Sequence, residues 1–248
     1  MNAELNALGQ HLGFPVDGWT PPPRPPLDPM TGRTCRVEPL DVARHAADLH
    51  AANLVDADGR NWTYLPYGPF ETLDDYKAWL TSIAGKADPQ FHTIVAMGSD
   101  PQFGSDPIAI GVASYLRIDP AAGSIEVGHI NYSPRLQRTV ASTEAMYLMM
   151  RRAFELGYRR YEWKCNALNT PSRTAAQRLG FSYEGVFRQA TVVKGRNRDT
   201  AWYAMIDREW PAIDQAFRRW LDPSNFDAAG RQRTSLGDLT GPILVSRG

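Results

Sequence analysis

The sequence predicts an α/β protein built on a mostly antiparallel, seven-stranded sheet flanked by helices, and three observations support this. Segments with strand-like alternation fill residues 91–132 and are divided by Gly-containing turns, which indicates an antiparallel meander. Apolar stripes at helical spacing precede this region and return at residues 142–156. A further strand, a short helix and two strands complete the order β-α-α-β-β-β-α-β-α-β-β.

Local signals justify the elements in order. TCRVEPL (34–40) is typical of a strand, Asp41 and Thr72 each begin a helix, and residues 61–70 between these helices crowd four aromatic side chains into a loop. A Met-rich stripe predicts the helix over 142–156, and Thr170 is expected to cap a short helix. The remaining predicted strands are FHTIVAM (91–97), PIAIGVASYLRI (107–118), SIEVGHINY (124–132), YRRYEWKC (158–165), FSYEGVFRQATVV (181–193) and DTAWYAMI (199–206).

Three segments are predicted along the chain. Residues 1–32 form an arm, because residues 15–29 are dense in proline, which fixes φ and removes backbone donors. Residues 33–221 form the folded domain. Residues 222–248 are polar and lack periodicity, so we expect a mobile tail.

The composition is that of a globular protein without a strong net charge. The chain has 248 residues, of which 43% are hydrophobic and 22% charged, enough to bury a sizeable core. The 27 Lys and Arg residues balance 27 Asp and Glu residues, so no net field attracts nucleic acid or an anionic membrane. We therefore expect neither as a partner, and the least favoured hypothesis is a nucleic-acid site formed by Arg135, Arg138, Arg151 and Arg152.

Cysteine content and the first residues favour the cytoplasm. Cys35 and Cys165 are too few for a disulfide scaffold, and no Cys/His cluster has the spacing of zinc ligands, so we predict no metal. The N-terminus contains Glu4 and lacks the basic and apolar regions of a secretory signal, and no apolar run reaches membrane-spanning length.

A strand, a turn and a helix between residues 124 and 150 carry the clearest chemical signal. A helix N-terminus has unpaired N–H groups and a positive dipole end, so the loop from Gln137 to Thr143 is suited to an anion such as a pyrophosphate. Local physics alone leaves this open, because many such units bind nothing.

Together with its flanks, this block resembles the GNAT N-acetyltransferases, especially the Rim-type ribosomal-protein acetyltransferases. IEVGH (125–129) stands where that family has E-I-G in its fourth strand, STEAMYLMMRRAFELGYRRYEW (142–163) is similar to its T-E-A helix and fifth strand, and NTPSRTAAQRLGFSYEGVFR (169–188) matches N-x-x-S-x-x-x-x-x-x-L-G-F-x-x-E-G. The resemblance covers roughly residues 33–210. It implies a sheet splayed between strands four and five with acetyl-CoA in the resulting V, where the backbone of Ile130, Asn131 and Tyr132 bonds the pantetheine arm.

One departure from the family concerns the pyrophosphate loop. The family signature is Gln/Arg-x-x-Gly-x-Gly/Ala, and alignment on Glu144-Ala145 puts a valine at its central glycine. Because Val adopts positive φ with difficulty, either the loop has another shape or cofactor affinity suffers. The resemblance assigns the cofactor to Gln137, Arg138, Thr139, Val140, Ala141, Ser142 and Thr143.

Acetyl transfer needs a base for the amine proton and an acid for the departing thiolate. The resemblance makes Glu126 the first choice of base, acting directly or through water, with a structural hydrogen-bond network as its alternative role. His129 is a competing base whose plainer role is a satisfied strand histidine. Ser172 lies where similar enzymes place a hydroxyl near the sulfur, with a structural first-turn role as the alternative, and Asn169 is expected to bond the cofactor or the fifth strand.

The acceptor amine is predicted to bind at the aromatic loop. Tyr64 and Tyr67 are the lining candidates, because their hydroxyls favour a wet boundary, whereas Trp62 and Phe70 are expected to plug the domain surface. Arg188, on a strand that faces the same groove in the family's topology, is suited to a carboxylate or phosphate on the acceptor.

The resulting hypothesis is an acetyl-CoA-dependent N-acetyltransferase that acts on a primary amine of a small molecule or peptide, with a preference for a flat or aromatic group. Rim-type enzymes carry a carboxylate where this chain has Thr191, which makes a ribosomal-protein N-terminus a less attractive substrate. The alternative is a non-catalytic acyl-CoA-binding or regulatory module. The oligomeric state stays open, with a homodimer among the alternatives.

Overall fold

An eight-stranded sheet forms the centre of the computed structural model, which describes residues 4–98 and 106–248. A separate hairpin pairs β1 (Glu4–Leu5) with β2 (His11–Leu12), and the sheet contains β3 (Met30–Thr31), β4 (Cys35–Pro39), β5 (Gln90–Ala96), β6 (Ile108–Asp119), β7 (Ser124–Tyr132), β8 (Arg160–Asn166), β9 (Ser182–Val193) and β10 (Arg196–Ile206). Its order is β3-β4-β5-β6-β7-β8-β10-β9, and of these described pairs only β7 with β8 is parallel. The prediction of a mostly antiparallel sheet is confirmed. The short β3 is added to the seven predicted strands because the end of the arm pairs with β4.

Helices cover both faces of the sheet. They are α1 (Val42–Asn53), α2 (Leu73–Ile83), α3 (Val140–Glu155), α4 (Thr170–Arg178), α5 (Trp210–Leu221) and α6 (Leu236–Thr240). Asp41 and Thr72 cap α1 and α2 as predicted, since their side chains accept hydrogen bonds from the N–H groups of Arg44 and Asp75, each at 3.1 Å. Helices α1 and α2 pack an apolar cluster on one face, and α3 and α5 pack a second cluster on the other. Within the described ranges, no helix combines the length and apolarity needed to cross a membrane.

The sheet opens between β7 and β8, as the sequence resemblance implies. Their pairing runs from Ser124 opposite Arg160 to Val127 opposite Trp163 and then stops. His129, just beyond, has a φ of 50°, and the register between β6 and β7 shifts in the same region. This bulge turns the last residues of β7 away from β8. The two strands therefore form a V whose inner edges do not pair with each other.

A buried carboxylate on α3 holds the start of β4. Glu144, only 6% exposed, accepts hydrogen bonds from the backbone N–H groups of Arg33 (2.8 Å), Thr34 (2.6 Å) and Cys35 (3.2 Å), and from the Thr34 hydroxyl. These N–H groups lie where the chain enters the sheet and would otherwise be buried without partners. The Glu of the T-E-A motif is thus a structural anchor between α3 and β4.

The division into an arm, a domain and a tail stays a prediction, and described contacts tie both ends of the chain to the domain. The side-chain amide of Gln90 donates to the Pro25 carbonyl in the arm at 2.9 Å. In the tail, Leu236 of α6 is fully buried, and the Val245 N–H donates to the Ser182 hydroxyl at 3.0 Å. The segment 222–248 therefore contains a helix that the sequence pattern does not predict. Five helical residues are too few to reveal an apolar stripe.

Candidate active site

The loop between β7 and α3 is shaped by its own side chains. The Thr139 hydroxyl caps α3, accepting from the Ser142 N–H at 3.0 Å and donating to the Leu136 carbonyl at 2.7 Å. The Ser142 hydroxyl donates back to the Thr139 carbonyl at 2.7 Å. Since the first N–H groups of a helix have no intrahelical acceptor, those of Val140 and Ala141 offer donors at the positive end of the helix dipole.

The valine in this loop adopts no left-handed conformation. Helix α3 begins at Val140, two residues before the predicted start, and the positive φ falls on Arg138, at 62°. The loop therefore has another shape than the Gly-containing signature requires, which is the first of the two alternatives drawn from the sequence. Sequence reasoning missed Thr139 as the cap, although a Thr immediately before a helix is a recognised signal.

Two of the predicted cofactor contacts are occupied by protein groups. The Gln137 side-chain amide donates to the Tyr132 carbonyl and to the Asn61 Oδ1, both at 2.8 Å. The Asn61 amide donates to the same Tyr132 carbonyl at 3.1 Å. Asn131, in contrast, is 2% exposed, and neither polar atom of its side chain has a partner in the described part of the chain. Ile130 and Asn131 are therefore the more available positions on this edge of the V.

Glu126 lies one residue before the V opens, on the sheet face that carries α1 and α2. Its neighbours Ile125 and Val127 belong to the apolar cluster on the opposite face, so alternation along β7 turns Glu126 away from them. It is 3% exposed, and its oxygens accept from Arg117 Nη1 and Lys164 Nζ, each at 2.8 Å. Burial raises the pKa of Glu126, although Lys164 and Arg117 act against this shift.

The ion pair of Glu126 belongs to an alternating chain of charges. Lys164 also contacts Glu162 at 2.7 Å, and Arg160 contacts Glu162 and Glu184, each at 2.6 Å. The lysine also lies 3.7 Å from the ring centre of Trp202. This geometry is compatible with both roles drawn from the sequence for Glu126, the base and the member of a structural network, since the carboxylate is paired with cations and also lies beside the V.

Ser172 approaches the V from the other face of the sheet. Its hydroxyl oxygen accepts a hydrogen bond from the indole N–H of Trp163, at 3.0 Å, and Trp163 is the last β8 residue paired with β7. The Asn169 side chain caps α4 by accepting from the Ser172 N–H at 3.2 Å, one residue before the predicted cap at Thr170. The Ser172 hydroxyl keeps its own proton as a donor, and the Cys165 thiol lies within hydrogen-bond reach of it.

A cluster of aromatic side chains packs against His129. The Tyr67 hydroxyl lies 3.2 Å from His129 Nδ1, and the two rings stack with centroids 5.7 Å apart. Tyr67 also stacks on Trp79, and Trp62 is buried behind it at an edge-to-face angle. Burial lowers the pKa of His129 to about 4, with Arg117 and Arg198 adding to the shift. His129 is therefore a neutral histidine near neutral pH, bound to Tyr67.

Two long-range hydrogen bonds connect the aromatic loop to the far side of the V. The Tyr64 hydroxyl donates to the Leu168 carbonyl, in the loop between β8 and α4, at 3.2 Å. Lys194, in the turn between β9 and β10, donates to the carbonyls of Trp62 and Gly68, each at 2.9 Å. The β9–β10 hairpin consequently reaches across and encloses a groove between itself, the aromatic loop and the V.

Arg188 and Arg198 of the β9–β10 hairpin differ in burial, and the predicted acceptor contact of Arg188 stays a prediction. Arg188 is exposed in the bulged part of β9, whereas its neighbour Phe187 packs on Trp202 with centroids 4.5 Å apart. Arg198 is half-buried on β10 and close enough to His129 and Glu126 for electrostatic interaction. No local motif marks Arg198, so sequence reasoning missed it.

The fold and this site define a class of protein. A family model for the acetyltransferase (GNAT) domain matches residues 36–182, more than half of the chain. The chain belongs to the GNAT acetyltransferase family, whose members bind acetyl-CoA and transfer acetyl groups to amines. No curated protein matches the sequence.

Solved structures show the same relationship. A GCN5-related N-acetyltransferase from Brucella melitensis is 43% identical, covers 91% of this chain and 100% of its own, and has a TM-score of 0.85. A probable acetyltransferase of the GNAT family from Chromobacterium violaceum is 41% identical, with coverages of 81% and 98% and a TM-score of 0.73. The ribosomal L7/L12 alpha-N-protein acetyltransferase RimL is 20% identical, with coverages of 72% and 94% and a TM-score of 0.59, a likeness of fold alone.

Proposed function

We propose that the protein is an acetyl-CoA-dependent N-acetyltransferase whose acceptor is a primary amine of a small molecule or peptide. The observation that carries this proposal is the end of β7–β8 pairing at Val127 and Trp163, with Glu126 and Ser172 beside the opening on opposite faces of the sheet. A V of this kind admits a thioester between a base on one side and an acid on the other.

The described residues fit acetyl-CoA. The N-terminus of α3 offers the N–H groups of Val140 and Ala141 to the pyrophosphate. Asn131 is buried with a free donor and a free acceptor, which suits the amides of the pantetheine arm. The unpaired edge of β7 at Ile130 offers backbone groups in the manner of an added strand.

Acetyl-CoA supplies the acetyl group as a thioester. The amine nitrogen forms the new bond to the carbonyl carbon as the carbon–sulfur bond breaks. Glu126 accepts the amine proton, through a water since both its oxygens hold cations, and its raised pKa makes it a stronger base than an ordinary carboxylate. Ser172 donates its hydroxyl proton to the departing sulfur, while the Trp163 indole N–H keeps the hydroxyl oxygen in position.

The test combines calorimetry with acetyl-CoA and thiol release with an amine panel. We expect acetyl-CoA to bind the wild type, and Glu126→Gln and Ser172→Ala to lower turnover by about 10²–10⁴-fold with little change in acetyl-CoA affinity. Glu155→Gln, an exposed change on α3, serves as the control. If both variants turn over as fast as the wild type, neither residue moves a proton in the reaction.

A non-catalytic acyl-CoA-binding module is the second candidate, favoured by the ion pairs that occupy Glu126. Binding of acetyl-CoA without thiol release for any amine would support it. Membership of the Rim-type subgroup is a finer proposal that rests on the motifs quoted above, and Thr191 argues against a ribosomal-protein substrate.

A further inference from the structure

We propose that Arg198 binds an anionic oxygen group, a carboxylate or a phosphate, on the acceptor amine, so that the preferred substrates are amines that carry a negative charge. This inference rests on the proposed acetyl transfer for its functional meaning, but the binding it predicts is measurable without turnover.

Arg198 lies on the same side of the sheet as Glu126. Trp202 pairs with Lys164 across β10 and β8, so their side chains share a face, and the lysine nitrogen lies over the Trp202 ring. Lys164 in turn contacts Glu126. Since side chains alternate along a strand, Arg198 is on the face of Trp202, in the hairpin whose turn contacts the aromatic loop.

The charges already present in the groove compensate one another without Arg198. Arg117, Lys164 and Arg160 alternate with the three carboxylates of Glu126, Glu162 and Glu184 in one chain of contacts. The Arg198 side chain is outside this chain of charges: among residues 4–98 and 106–248 it makes no ion pair, and its Nε–H has no hydrogen-bond acceptor. Arg198 therefore adds a positive charge that this chain of contacts does not balance.

Nearby carboxylates do not supply a partner. Asp199, next in sequence, accepts hydrogen bonds from the Gln189 N–H at 2.7 Å and from the Asn197 amide at 3.0 Å. The Nε–H of Arg198 and the indole N–H of Trp202 are both buried with no acceptor among the described residues. Arg198 is half-buried, and this burial lowers the pKa of its guanidinium.

Two unpaired donors and an uncompensated guanidinium favour one kind of ligand. A guanidinium forms two parallel hydrogen bonds to carboxylate or phosphate oxygens, and such charge-assisted bonds gain strength where water is displaced. Phe187, packed on Trp202, adds an apolar ring beside the unpartnered indole N–H. An acceptor held here by its anionic group has its amine directed toward Glu126, which also lies within electrostatic reach of Arg198.

The test measures binding by calorimetry with saturating CoA, which carries no acetyl group to transfer. Matched pairs separate the two anion sources: L-phenylalanine against L-phenylalaninamide for a carboxylate, and 2-aminoethyl phosphate against ethanolamine for a phosphate. We expect the charged member of at least one pair to bind the wild type about 10- to 100-fold more tightly than its neutral partner. Arg198→Gln should abolish that preference, and Arg198→Lys, which keeps the charge without the fork, should retain part of it.

The control is Arg219→Gln, which removes an exposed arginine from α5 on the other face of the sheet and should leave the preference unchanged. The proposal is overturned if the wild type shows no preference for either anionic amine, or if Arg198→Gln keeps it. It is also overturned if Arg198→Gln weakens CoA binding instead, since the arginine would then serve a phosphate of the cofactor. Arg198-dependent binding without acetylation of any amine would support this proposal and overturn the proposed acetyl transfer.

Discussion

The carboxylate of Glu144 should be worth more to stability than any exposed charge on the same helix. It holds three backbone N–H groups and one hydroxyl at the entrance to β4, more than one hundred residues away in sequence. We propose Glu144→Gln as the perturbation, because glutamine has nearly the same size and shape and changes only the charge and one acceptor.

The cost can be worked from the contacts. One oxygen of Glu144 receives the Arg33 N–H, and the other receives the Thr34 N–H, the Thr34 hydroxyl and the Cys35 N–H. A glutamine oxygen can take the second set, but its NH₂ group then faces the Arg33 N–H, donor against donor. An unsatisfied buried donor and the loss of charge-assisted bonds together cost about 3 kcal/mol.

The assay is urea and thermal unfolding followed by circular dichroism. A loss of about 3 kcal/mol corresponds to a fall in Tm of about 6–12 °C for a domain of this size. Thr34→Val, which replaces the hydroxyl with a methyl group of similar size, should cost about 1 kcal/mol. The exposed Glu155→Gln should stay within about 0.5 kcal/mol of the wild type. Equal stability of Glu144→Gln and Glu155→Gln would refute the anchoring role.

Two further predictions concern the groove. Lys194→Met removes both hydrogen bonds that hold the β9–β10 turn to the aromatic loop. The KM for the amine should therefore rise about 3- to 10-fold, with the affinity for acetyl-CoA unchanged. The exposed Lys86→Met is the control, and an equal rise in KM for that variant would show that the Lys194 contact is not the cause. Burial lowers the pKa of His129 to about 4, as it does for His92. As the pH falls, these histidines are therefore protonated in the unfolded chain before they are protonated in the folded one. The free energy of unfolding should be fully retained above pH ~6.5 and should fall between pH ~6.5 and ~4. Urea titrations across this range should show a shallower decline in His129→Gln, and an unchanged decline would exclude His129 as a contributor.

Much of the fold was predictable because its signals are local. Asp41 and Thr72 each cap a helix through an N–H three residues away, so the sequence window itself contains both partners. The alternation in residues 91–132 likewise shows strands directly. The start of α3 was misplaced by two residues because the Met-rich stripe was followed in preference to the cap at Thr139.

The site was predictable only in part. The family motifs indicate Glu126 and Ser172, and the structure places them beside the V, although their roles stay predictions. The motifs also include Glu144, whose contacts are with the start of β4 rather than with the V. Arg188, chosen from topology, is exposed in the bulged part of β9, and its acceptor contact stays a prediction.

The sequence by itself determined the caps at Asp41 and Thr72, the strand alternation and the motifs that reveal the family, since each depends on residues a few positions apart. The tertiary structure decided which charges neutralise each other around Glu126 and that Lys194 reaches Trp62 and Gly68. It also left the Nε–H of Arg198 without an acceptor in the described part of the chain. These contacts join residues up to 132 positions apart. Their formation depends on how strands from distant parts of the chain pair and diverge, and no local pattern of residue types encodes that arrangement.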